Sequence, residues 1–220
     1  MIIIPFACLG AVCLIMSIVY TMFNNKKGWQ GLLVKCLTMF SLFLFALISA
    51  NLKSIINAIA LYIPVAFVVL IVSECLSCMD IDEKVKTIFS GVIKIASFAL
   101  IAISAMSLAE FNILALIGGL LLGVGLGLIS WAINKYKNLY VILIEIFNFM
   151  AICAIIGLGI NAVLRSSHFI SSILLLVAGV VLLVVKLMRV YGKNNKIVNI
   201  IANELYILAL IVIGCSIYFF

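Results

Sequence analysis

Six charged residues fall inside the apolar stretches of this 220-residue chain: Lys35, Glu74, Lys94, Glu145, Lys186 and Glu204. A charge at membrane depth is costly and marks a functional site or an ion pair. The spacing of the six is regular. Lys35 and Glu145 are 110 positions apart, as are Lys94 and Glu204, while Glu74 and Lys186 are 112 apart. Three bases and three acids can satisfy one another inside a helical bundle. The chemistry open to them is proton transfer by a carboxylate, binding of an anionic group by the lysines, or structural ion pairing. Lysine can extend its ammonium toward the interface, but the shorter glutamate needs a partner or must take up a proton.

The elements that must position these charges follow from composition. Hydrophobic residues make up 68% of the chain and charged residues 10%, with a mean hydropathy of +1.46. Soluble domains lie nearer 45–50% apolar and about 25% charged. Apolar runs long enough to cross a hydrocarbon core of roughly 30 Å as helices recur along the sequence. Eight spans are expected, at 2–23, 30–50, 55–79, 87–107, 112–133, 138–160, 168–188 and 198–220. The fold class is therefore an all-α polytopic membrane protein with a single transmembrane domain over 1–220. The charge offsets suggest two parallel halves of four helices, 1–108 and 111–220, although evenly spaced helices give similar offsets without a repeat. No basic segment precedes the first span, so a cleaved signal peptide is not expected.

The net charge of +7 is explained by loop distribution without a nucleic-acid partner. Lys26, Lys27, Lys84, Lys86, Lys135, Lys137, Arg189, Lys193 and Lys196 follow the odd-numbered spans, against only Lys53 and Arg165 on the other side. By the positive-inside rule both termini are extracytoplasmic in a cell membrane. Each of the six buried charges is then within about eight residues of a cytoplasmic loop, roughly 5–12 Å in at 1.5 Å per residue.

Other motifs carry less. Cys75 and Cys78 form a lone CxxC among seven cysteines. No disulfide framework is implied, and a metal would need further ligands. His168 is the only histidine and is expected at a helix end on the opposite face, so neither a metal nor another cofactor is expected. Gly119, Gly123 and Gly127 form a GxxxG series that lets helices approach closely. Pro64 lies within the third span.

Against this background the chain resembles the lysoplasmalogenase family of eight-helix membrane hydrolases over nearly its whole length. Val34-Lys35-Cys36-Leu37-Thr38 is similar to the family's Lys-Pro-Leu segment in helix 2, with Cys36 at the proline. Ile71-Val72-Ser73-Glu74-Cys75-Leu76 is similar to its Gly-Asp segment in helix 3, with Glu74 at the aspartate. Phe89, Gly91 and Phe98 resemble the start of helix 4, with Ala99 near the family's histidine. Gly179 to Lys186 resembles the helix 7 segment that ends in Ser-Asp, here Val185-Lys186. Tyr206-Ile207-Leu208-Ala209-Leu210 resembles Tyr-Tyr-Leu-Ala-Gln in helix 8.

The resemblance implies hydrolysis of the vinyl ether bond of a lyso-ether phospholipid from the cytoplasmic side. Glu74 would be the catalytic acid or base, and Lys35 and Lys186 would hold the headgroup. Glu145, Glu204, Lys94 and Tyr206 would complete the pocket. The replaced polar positions leave two alternatives: a non-catalytic member that binds a lipid or a partner protein, and a small-solute transporter. The transporter lacks a second helix break to match Pro64, since Leu174 stands there. Glu74 and Lys186 are the discriminating pair: across an open cavity they would line a site, and in closed contact they would be structural.

Overall fold

The computed structural model describes residues 3–23, 29–51, 58–79, 81–136, 138–192 and 195–219. Lys26, Lys27, Lys53, Lys137 and Lys193, which enter the loop-charge argument, lie outside the described residues. Among those described, every regular element is an α-helix. The eight are α1 (Ile3–Phe23), α2 (Trp29–Asn51), α3 (Ala58–Cys78), α4 (Glu83–Met106), α5 (Ile113–Asn134), α6 (Leu139–Arg165), α7 (Phe169–Tyr191) and α8 (Lys196–Tyr218).

Each expected span is a helix, but the ends shift for a physical reason. Hydropathy marks where side chains become polar, whereas the backbone helix ends where its free groups find partners. Asp82 accepts from Lys84 N, so α4 begins at Glu83. Asn195 accepts from Ile197 N and Val198 N and starts α8 at Lys196. The last turn of α7 continues to Tyr191, past the apolar boundary at 188. Helix α3 runs through Pro64, which stands in its second turn.

Helices α2 to α8 are long and apolar enough to cross a membrane, and α1 is apolar over Ala7–Phe23. Their outward faces carry exposed Ile15, Ile18, Leu121, Leu122 and Leu164. So much exposed hydrocarbon would be a liability in water and is the expected surface in lipid. The chain is a multi-pass helical membrane protein.

Sequential neighbours pack in order from α1 to α4, then α4 meets α6, and α6, α7 and α8 follow. Helix α8 returns to pack on α1, α2 and α3 and closes the bundle. Helix α5 lies on α6 along the expected glycine series. A Cβ at Gly119 would come 2.5 Å from Cys153 O, one at Gly127 2.8 Å from Ile146 Cα, and one at Gly123 would overlap the Met150 backbone. Gly118 and Gly125 face open space, so the close approach belongs to the 119/123/127 face alone. The core holds Tyr20, Phe45, Phe67, Phe149 and Tyr206, all buried.

Candidate functional site

Helices α2, α3 and α4 bring Lys35, Glu74 and Lys94 together near the end of the bundle where the loops after odd-numbered helices lie. Lys94 Nζ is 2.9 Å from Glu74 Oε1, and Lys35 Nζ is 3.8 Å from Glu74 Oε2. Tyr20 of α1 donates to Glu74 Oε2 at 3.4 Å. Lys35 also donates to Ser77 Oγ at 3.2 Å, and Ser77 donates in turn to the Glu74 carbonyl. Glu74 and Lys35 are buried, so these partners stand in for water. Cys36 and Cys75, the chain neighbours of Lys35 and Glu74, are joined to each other and tie α2 to α3, with their Cα atoms 6.4 Å apart. The sequence implied no disulfide framework, and these two positions depart from that. Cys78 is a free thiol.

Tyr20, Lys35, Glu74, Ser77 and Lys94 line a cavity of about 360 Å³ together with Ser73, Ser90, Gly91, Arg189, Asn199 and Asn203. A narrower cavity of about 140 Å³ adjoins it and shares Lys94 and Arg189. It is walled by Phe98, Ile152, Leu182, Val185 and Tyr206, with Asn148 and Lys186 as further polar members. Tyr206 lines the narrower cavity. Its ring takes Lys94 Nζ at 5.2 Å and Arg189 Cζ at 5.1 Å from the centroid. Its hydroxyl is buried and has no hydrogen-bond partner among the described residues.

Lys186 does not meet Glu74. Its ammonium is 2.7 Å from Glu145 Oε2 and lies 5.6 Å above the Phe149 ring. Ser130 of α5 donates to the other Glu145 oxygen at 3.2 Å. In the loop after α5, Tyr136 has its hydroxyl pKa pushed up by burial and then by the Glu145 carboxylate. The question left open for Glu74 and Lys186 is thus answered against a direct contact: Glu74 takes Lys94 and Lys35, and Glu145 takes Lys186. The reason is helix order, since α4 lies between α3 and α6 and delivers Lys94 to Glu74 first. Glu204 accepts from Ser17 at 2.9 Å and is not among the residues lining either cavity. Lys94 also lies deeper than expected, eleven residues beyond the α4 start at Glu83.

Three polar members of the site escape a sequence reading. Arg189 reads as a loop cation because hydropathy falls at 188, yet α7 continues and turns it into the cavity, where it donates to Asn203 at 3.2 Å. It therefore leaves the loop-charge count. Tyr20 and Asn203 are uncharged and carry no motif; an asparagine beside Glu204 in an apolar span was the available signal. His168 sits at the start of α7, as expected of a helix-end histidine, with its N–H donating to Ser166 Oγ at 2.8 Å. Among the described residues no cluster of three or more metal-ligating side chains occurs.

Comparison with known proteins finds no matching family model, no matching curated protein and no matching solved structure.

Proposed function

We propose that this membrane protein takes the headgroup of a single-chain phospholipid in the larger cavity, from the cytoplasmic leaflet, and hydrolyses the vinyl ether bond of a lyso-ether phospholipid. The observation that carries the binding half is the cavity itself: Lys35, Lys94 and Arg189 face one carboxylate, Glu74, in a polar recess within the apolar bundle. Such a surplus of cations suits an anionic group. The hydrolytic half rests on the resemblance of the Lys35 and Glu74 segments to the lysoplasmalogenase motifs.

In that reaction a proton adds to the β-carbon of the alkenyl ether and water adds to the resulting oxocarbenium carbon. The hemiacetal then collapses to a fatty aldehyde and a glycerol hydroxyl. Glu74, ion-paired and presenting acceptor oxygens, would steady the cation and orient the water. Lys94 and Tyr20, both hydrogen-bonded to it, are the groups able to supply the proton. Purified protein incubated with lysoplasmenylethanolamine should release aldehyde, and Glu74→Gln should abolish the release. Equal release by the two would remove Glu74 from the chemistry, and none from the wild type would remove the hydrolysis.

A second reading is favoured by one specific feature. Glu74 is held by two lysines, as befits a structural member of a binding site. The protein would then bind the amphiphile without turning it over, and the lipid would be retained on purification with no aldehyde formed. A solute transporter is ranked below both readings.

A further inference from the structure

The two cavities share Lys94 and Arg189, so their charges act as one set. Lys35, Lys94, Lys186 and Arg189 supply four positive charges, against Glu74 in the larger cavity and Glu145 on Lys186. Among the described residues of the site this leaves two positive charges without a carboxylate. Lys35 is buried and the other three cations are partly buried, so the uncompensated charge is costly, and a ligand carrying two negative charges would cancel the excess.

The aromatic faces of Tyr206 and Phe149 disfavour the common zwitterionic alternative. A choline or ethanolamine cation is drawn in by an open aromatic face or a free carboxylate. The Tyr206 ring already holds Lys94 and Arg189, and the Phe149 ring already holds Lys186. Glu74 is taken by two lysines and Glu145 by one. A third observation concerns Tyr206, which lines the inner cavity and whose buried hydroxyl has no partner among the described residues. It is a donor able to meet an acceptor oxygen, on the ring whose face carries the two cations that a terminal phosphate would bridge.

We infer that the site selects a phosphomonoester dianion, carried by a single-chain lipid, over phospholipids whose phosphate bears choline or ethanolamine. This rests on the binding half of the proposed function and does not depend on hydrolysis; a lyso-ether lipid bearing ethanolamine would then be a weakly held substrate. A phosphomonoester is close to doubly ionised above a second pKa of about 6, and the four cations favour that form.

The test is binding at pH 8 by the full chain in nanodiscs of uncharged lipid, with four probes: lysophosphatidic acid, lysophosphatidylcholine, lysophosphatidylethanolamine and inorganic phosphate. Lysophosphatidic acid should bind at least tenfold tighter than either phospho-base lipid, and inorganic phosphate should compete for its site only weakly. Arg189→Gln should reduce the preference by tenfold or more. Should that variant fail to fold, the wild-type comparison alone decides. Equal or tighter binding of the phospho-base lipids would overturn the selectivity while leaving the headgroup reading intact. Inorganic phosphate binding as tightly as the lysolipid would overturn the lipid as its source. Absence of binding by all four probes would overturn both the inference and the binding half of the proposed function.

Discussion

Glu74 and Glu145 are both glutamates a few residues from a helix end, each bonded to lysine, yet their settings differ in charge. Glu145 meets one ammonium at 2.7 Å and is completed by Ser130. Its local charge balances, and a balanced, partly buried pair mainly fixes how α6, α7 and α5 sit together. Glu74 meets two ammoniums, with Arg189 in the same cavity. The surplus there has no structural use that a single lysine would not serve. Balance marks a joint, and excess marks a place for something that arrives.

The largest effect should fall on the balanced pair. Glu145→Ala leaves Lys186 with the Phe149 ring alone and should cost about 3 kcal/mol of stability, the low end for breaking a buried pair because this one is partly buried, read as a fall in the unfolding midpoint in detergent. Replacing both partners, Glu145→Leu with Lys186→Met, should restore most of the loss, because no orphan charge remains. A double variant as unstable as the single would mean that the pair is not a unit.

Glu74→Gln should act differently. Lys35 keeps Ser77, and Lys94 keeps the Tyr206 ring, so the stability loss should stay near 1–3 kcal/mol, the range for a lost hydrogen bond to a charged group. Binding of an anionic lysolipid should strengthen, since the cavity gains positive charge, while any aldehyde release stops. Weaker lysolipid binding would count against the surplus. Gly123→Ala tests the seam that brings α5, and with it Ser130, to Glu145. Its Cβ would overlap the Met150 backbone, and the expected cost is about 1–3 kcal/mol with no change in lysolipid affinity. The smallest effect belongs to Ser17→Ala, which removes one hydrogen bond from Glu204 and should cost about 1 kcal/mol and leave binding unchanged.

The fold was legible because hydropathy reports the bilayer directly, and every expected span is a helix. The glycine series was legible for a similar reason, since backbone proximity at one face demands small residues at that spacing. The charge partners were not. Residues at matched offsets in two halves need not touch, and the order of helices around the bundle determines which ammonium reaches which carboxylate. Arg189 was hidden by the same signal that revealed the helices, because hydropathy ends α7 three residues before its backbone does. Tyr206 was named from the sequence, but its unpartnered hydroxyl is a property of packing that no motif carries.

The central claim is that the larger cavity keeps uncompensated positive charge to hold an anionic headgroup. Asn203→Asp tests it most directly. Asn203 already accepts from Arg189 at 3.2 Å, so the substitution adds one negative charge with little change in shape. The account predicts an unfolding midpoint that is unchanged or raised, together with at least tenfold weaker binding of lysophosphatidic acid. Unchanged or tighter lysolipid binding in a folded Asn203→Asp protein would contradict it.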